Sequence, residues 1–306
     1  MSQTATMSSP TRHWWSSNNR SFLSHMELSD NLHTVHVHGH RTAYVRHGDG
    51  PPVVLLHGYA GAMWMWEHQI EALGRHFTVF VPDVLGHGLS DKPRVPYNPA
   101  LYLNWLTGFL DGLGLRRAHF VGNSMGCGLA LGLALDHPER VDRLVLISGF
   151  PTDILTKIRG TYLERISHLR SRWLFAVGYH LLGRWAFRKY LGAVVCRREL
   201  ITAAVVERAY RLRKDYGNSW PYWSSLQHIS YWEEQFAPRL HAVRAPTLIV
   251  WGAQDRFFPL HAGEELQRAL PNARWAVIQE AGHLPMWEKP EEVNRLIVEF
   301  LTPPVS

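Results

Sequence analysis

Ser124 lies in Gly122-Asn123-Ser124-Met125-Gly126, after the apolar run Ala118-His119-Phe120-Val121 and before an almost wholly apolar stretch, Cys127 to Leu135. A strand, a Gly-x-Ser-x-Gly turn and a helix in that order predict a nucleophile elbow. The turn forces its central residue into a strained backbone, and the two glycines let strand and helix approach. A serine hydroxyl is a weak nucleophile at neutral pH. It needs a base to take its proton and a third group to orient that base. Trp251-Gly252-Ala253-Gln254-Asp255 offers a carboxylate after an apolar run, and Ala281-Gly282-His283 offers an imidazole after another. Asp153 is a lesser rival for the acid. The expected set is Ser124, Asp255 and His283, performing acyl transfer to water.

A developing oxyanion needs donors. The Met125 N–H opens the helix after the serine, where unpaired N–H groups and the helix dipole favour negative charge. The small-residue turn His57-Gly58-Tyr59-Ala60-Gly61 follows the apolar run Val53–Leu56 and offers the Tyr59 N–H as a second donor. His57 reads as support for this loop and, with Trp287, as a candidate substrate contact. In Asp83-Val84-Leu85-Gly86-His87-Gly88-Leu89-Ser90, the Asp and Ser read as braces of a Gly-rich loop through side-chain to backbone bonds.

The elements that must position these residues follow from periodicity. Alternation at Val35, Val37, Ala43 and Val45 predicts two antiparallel strands. His33, His36, His38 and His40 fall there and read as a solvated strand face rather than a metal site, because strand neighbours rarely complete a tetrahedral set. Apolar runs predict strands at 52–56, 77–81, 115–121, 141–147, 245–252 and 273–279, with helices at 99–113, 260–270 and 290–301. From about 150 to 240 the strand pattern stops and only helical periodicity remains. The expected organisation is a tail at 1–30, expected to be disordered, an α/β core at 31–149 and 241–306, and a helical cap, or lid, at 150–240.

The 306 residues carry a formal charge of +6 and 46% apolar residues, enough for one large domain with an insertion. Residues 151–240 hold fifteen Lys/Arg against seven Asp/Glu, which leaves the rest of the chain near −2. Basic character confined to one segment argues against a nucleic-acid partner. Two cysteines imply no disulfide framework. The chain shows no signal-peptide or membrane-spanning pattern and reads as cytoplasmic. Within the cap, residues 172–190 mix large apolar side chains with cations. The plainer expectation is a helix with its apolar face on the core. The alternative is peripheral contact with an anionic membrane.

His57-Gly58, Asp83-x-x-Gly86-x-Gly88-x-Ser90, Gly122-x-Ser124-x-Gly126, Trp251-Gly252-x-x-Asp255 and Gly282-His283-x-Pro285-x-x-Glu288 together resemble the α/β-hydrolase superfamily over roughly residues 33–303. The resemblance implies a mostly parallel sheet with helices on both faces and a helical cap after the sixth strand. It implies no metal or organic cofactor. Relatives that dehalogenate or open epoxides carry Asp at the elbow, and the serine here sets those chemistries aside. The expected activity is hydrolysis of a small apolar or aromatic carboxylic ester, of carboxylesterase or lipase type. The Gly-Asn-Ser-Met-Gly form and Trp287 are similar to hydrolases that cleave carbon–carbon bonds of ring-fission products, although those carry a Gly-Gly-Gly-Pro-type oxyanion loop. A non-enzymatic binding or accessory role is the other alternative within the superfamily, and cofactor-free oxygenases and haloperoxidase-like relatives share a Ser–Asp–His set.

Overall fold

His38 and Gly39, both left-handed (φ 49° and 81°), close a two-residue hairpin between β1 (Leu32–Val37) and β2 (His40–His47). β2 then pairs antiparallel with β4 (Thr78–Pro82). The rest of the sheet is parallel, from β4 and β3 (Pro52–Leu56) through β5 (Ala118–Asn123), β6 (Val141–Ile147) and β7 (Thr247–Gly252) to β8 (Ala273–Ile278). The eight strands lie in the order β1-β2-β4-β3-β5-β6-β7-β8. The computed structural model describes residues 31–149, 152–159 and 162–302. The tail expected at 1–30 lies outside the described residues.

Strand side chains alternate between faces, and the parallel strands are apolar on both. Val53, Leu55, Val79, Val81, Leu248 and Val250 pack on one side with α1 (Glu67–Gly74) and the C-terminal helix Pro290–Leu301. Val54, Leu56, Phe80, Ile249 and Trp251 pack on the other with α2 (Pro99–Gly112) and α3 (Met125–Asp136). Asn98 caps α2, its side chain accepting the Leu101 N–H, and Pro99 fills the first turn. Every residue of α3 from Met125 to Ala134 is buried, as expected of a helix apolar all round.

Between β6 and β7 the described residues form seven helices: α4 (Ile154–Lys157), α5 (Tyr162–Ser167), α6 (Arg172–Leu181), α7 (Arg184–Val194), α8 (Ala203–Tyr216), α9 (Ser219–Gln227) and α10 (Ile229–Phe236). Arg213 of α8 ties three of them together. Its guanidinium lies 5.2 Å from the Tyr179 ring and 5.1 Å from the Phe187 ring, and it donates to the Tyr179 and Leu182 carbonyls. Arg208 joins α8 to α1 through a two-pronged ion pair with Glu67, both contacts at 2.7 Å. After β7 come α11 (Leu260–Ala269), α12 (Pro285–Glu288) and α13 (Pro290–Leu301).

The expectation that the apolar face of 172–190 packs on the core holds for only half of α6. Phe175 is buried, and Tyr179 stacks on Tyr222 at 5.4 Å. Trp173, Leu174, Val177 and Leu181 point the other way, and Trp173 and Leu181 are 70% and 78% exposed. Among the described residues no helix is long and apolar enough to cross a membrane.

Candidate active site

Ser124 follows β5 and caps α3 with φ 52° and ψ −115°. This left-handed backbone is strained for a residue with a side chain, and the packing around it enforces it. A Cβ on Gly122 would lie 2.5 Å from Gly126 C, and one on Gly126 would lie 2.1 Å from Leu56 O. The strand and helix therefore meet too closely for any side chain at either position. The Ser124 N–H donates to Ile147 O at 3.2 Å, which fixes the elbow to β6. Ser124 is partly exposed among buried neighbours.

Asp255 follows β7 and His283 follows β8, both at the C-terminal edge of the sheet where ligand sites form in open parallel sheets. His283 Nδ1 donates to Asp255 Oδ2 at 2.8 Å. The other carboxylate oxygen, Oδ1, accepts the Phe257 and Phe258 N–H groups at 2.8 and 2.9 Å. Both side chains are buried. The rings of Phe257 and Phe258 lie 4.9 and 5.2 Å from the imidazole, so it is held by packing as well as by charge. Asp153, the rival acid, sits at the N-terminus of α4, and the carboxylate bonded to His283 is that of Asp255.

Asn123, next to the serine, donates through Nδ2 to Ile147 O and to His283 O at 3.2 and 3.1 Å. The elbow and the histidine loop are thus joined directly. The turn 57–61 closes through a Gly61 N–H to Gly58 O bond of 3.0 Å. A Cβ on Gly58 would lie 3.2 Å from Ser124 Cβ, so this loop lies against Ser124.

His57, expected to support its loop and to contact substrate, has both ring nitrogens engaged within the protein. It is fully buried, its Nε2 accepts the Val84 N–H at 3.0 Å and its Nδ1 donates to Gly58 O at 2.9 Å. Burial holds its pKa below the ordinary 6.5, against the pull of Asp83. It acts as a neutral strut between two loops. Trp287, the other candidate substrate contact, is engaged with neighbouring side chains. It is buried edge-on to Trp64 at 6.5 Å and donates to Glu67 Oε1 at 3.2 Å. Asp83 accepts the Met63 and Leu89 N–H groups at 2.7 and 2.6 Å, and Ser90 Oγ donates to Asp83 O while accepting the Ala43 N–H. These are the loop braces that the motif suggested.

Glu288 has a role that sequence reasoning missed. Its Oε1 accepts the Gly282 N–H at 2.7 Å, and its Oε2 accepts the Cys196 and Arg197 N–H groups at 2.7 and 2.8 Å. The His283 N–H donates to Val194 O at 2.7 Å. The loop that carries His283 is therefore laced to the end of α7. Burial raises the Glu288 pKa, and the three N–H donors pull the other way. Its place five residues after His283 in a recognisable motif was the available signal.

A profile described as the alpha/beta hydrolase fold matches residues 51–290. With the strand order and the elbow, this shows that the chain belongs to the α/β-hydrolase family, and it is a hydrolase. It is 32% identical over 277 residues to the 2-hydroxy-6-oxononadienedioate/2-hydroxy-6-oxononatrienedioate hydrolase 2 of Pseudomonas putida, covering 86% of this chain and 88% of that protein. The meta-cleavage product hydrolase of Pseudomonas fluorescens IP01 superposes with a TM-score of 0.75 at 27% identity, over 87% of this chain and 96% of that one. A membrane phospholipase A described as a bacterial virulence factor superposes with a TM-score of 0.74 at 25% identity, over 93% and 89%.

Proposed function

We propose that the chain is a serine hydrolase that cleaves a carbon–carbon bond next to a ketone in a dienoate of the ring-fission type. The observation that carries the substrate class is the near full-length match to hydrolases of 2-hydroxy-6-oxo-dienedioates. The Asp255–His283 pair at the serine's edge of the sheet supports the chemistry. Ser124 Oγ adds to the ketone carbon while His283 Nε2 takes its proton. Asp255 holds the imidazolium that forms. The Tyr59 and Met125 N–H groups donate to the oxyanion, each worth about 3 kcal/mol. A carbon leaving group needs its electron pair delocalised, so the 2-hydroxydienoate first ketonises, its enol proton moving to the carbon that will leave, and the resulting 2-keto-enoate takes up the pair of the broken bond as a dienolate. His283 returns its proton to the dienolate oxygen. Water, deprotonated by His283, then releases the acyl group as a carboxylic acid, so one water is consumed for each bond broken.

The expected ester substrate is the second reading. Two observations favour it: the oxyanion loop carries Tyr59-Ala60 where ring-fission hydrolases have a glycine-rich run, and a phospholipase shares the fold at TM-score 0.74. One experiment tests both. Turnover of 2-hydroxy-6-oxononadienedioate, followed as loss of the conjugated absorbance, is measured beside p-nitrophenyl esters of graded length, with wild type and Ser124→Ala. Serine-dependent loss of the dienoate, at a higher kcat/KM than any ester, supports the first reading. Serine-dependent turnover of esters alone replaces it with the second. Turnover of neither by the folded protein overturns both.

A further inference from the structure

Helix α6 is apolar on two faces, and among the described residues only one of them has a partner. Phe175 and Tyr179 face inward. Trp173, Val177 and Leu181 recur every fourth residue along the other side, and Trp185 continues the stripe at the start of α7. Trp185 is 68% exposed. Soluble surfaces rarely leave large apolar side chains contiguous and open, and such stripes mark docking sites.

The charge around the stripe says what docks. From Arg165 to Arg198 the chain holds eight Lys/Arg and not one Asp or Glu. Arg170, Arg172, Arg188 and Lys189 in that run are exposed beside the stripe. The acid nearest Arg184 comes from outside it: Glu207 of α8, which Arg184 shares with Arg211. A second copy of this chain would bring the same cations face to face in a two-fold contact, which like-charge repulsion opposes. An anionic bilayer complements both parts. Phosphate groups meet the cations, and tryptophans with aliphatic neighbours settle at the boundary of headgroups and acyl chains.

We propose that helices α6 and α7 form a peripheral docking surface for anionic membranes, with Trp173, Leu181 and Trp185 inserted and Arg188 and Lys189 at the headgroups. The far end of α7 is Val194, whose carbonyl takes the His283 N–H, so the helix that carries part of the docking surface also anchors the loop of the proposed base.

The test is co-sedimentation of the full chain with phosphatidylcholine vesicles, with and without phosphatidylglycerol, at low and high salt. Binding is expected only to the anionic vesicles and should weaken as salt rises. The Trp173→Ala/Leu181→Ala/Trp185→Ala variant should bind at least about tenfold more weakly, and so should Arg188→Gln/Lys189→Gln. These side chains are exposed, and far-UV circular dichroism with a thermal melt verifies that each variant is folded. Absence of wild-type binding to anionic vesicles overturns the proposal, as does binding that neither variant weakens. Sedimentation velocity without lipid identifies the competing occupant. A dimer that Leu181→Asp dissolves, in a protein that ignores vesicles, assigns the stripe to a second copy and overturns the membrane surface.

Discussion

Asp255 uses one carboxylate oxygen to hold His283 Nδ1 at 2.8 Å and the other to hold the backbone of Phe257 and Phe258. The acid is therefore fixed before the base is, and the histidine tautomer follows. Asp255→Asn keeps the shape and presents an N–H or a weaker acceptor to Nδ1. The expected loss in kcat is about 10⁴-fold with little change in KM, read by steady-state kinetics on whichever substrate the wild type turns over. A loss of less than about tenfold would remove Asp255 from the mechanism.

Glu288 is expected to act through position rather than contact with substrate. Glu288→Ala leaves the Gly282, Cys196 and Arg197 N–H groups without their acceptor. The expected cost is about 2–4 kcal/mol in stability. Displacement of the His283 loop should lower kcat by up to about 100-fold, since a small misplacement of a catalytic group suffices. Thermal melts and kinetics on the same preparation separate the two effects. An unchanged kcat would make the carboxylate purely structural.

Two glycines should respond in opposite directions. Gly126→Ala sets a methyl 2.1 Å from Leu56 O at the elbow and is expected to cost about 3 kcal/mol or more, together with activity. Gly178, in the middle of α6, has no atom of the described residues within 4 Å of where a Cβ would lie. Gly178→Ala should stabilise the protein by about 0.5–1 kcal/mol through helix propensity and a restricted unfolded chain. Chemical denaturation of the pair measures both. A neutral Gly126→Ala would contradict the close packing of β5 on α3.

His57 and His87 are buried with ring centroids 5.2 Å apart, and burial lowers the pKa of both, that of His87 well below the ordinary 6.5. The unfolded chain takes up these protons below about pH 6.5 while the folded chain resists them, so stability falls with pH from that point. The slope is at most about 1.4 kcal/mol per pH unit for each histidine until the folded pKa is reached. Melts at about pH 8 and about pH 5.5 should differ less in His57→Gln than in wild type. An equal difference would show that His57 does not carry this sensitivity.

The central fold was legible because parallel strands buried on both faces read as unbroken apolar runs. Pro52–Leu56 and Val141–Ile147 fall where the sequence predicts them. The run beginning at Phe77 starts one residue later as a strand, and those expected from 115 and 245 start at Ala118 and Thr247. Ser124, Asp255 and His283 stood out because each follows such a run, and the ends of parallel strands gather at one edge. The partners of Glu288 were not legible: Cys196 and Arg197 lie 92 and 91 residues away, and local pattern carries no record of a tertiary partner. His57 and Trp287 were given substrate roles from motif position, and the hydrogen bonds that each makes inside the protein were not legible there. The outward stripe of α6 was the alternative rather than the plainer expectation for a related reason. Helical periodicity shows that apolar residues share a face, and it is silent about whether that face meets a core.

The lacing of residues 194–197 to residues 282–288 also limits how this chain can be recombined. Exchanging the seven-helix segment for a relative's would be expected to alter specificity while sparing the nucleophile. Here the exchanged piece would have to bring one carbonyl at the place of Val194 O and two N–H groups at the places of Cys196 and Arg197. A graft that lacks them would leave His283 on a slack loop beside an intact elbow. The boundary for a productive chimera therefore falls after Arg197, so that the proposed base keeps its own moorings.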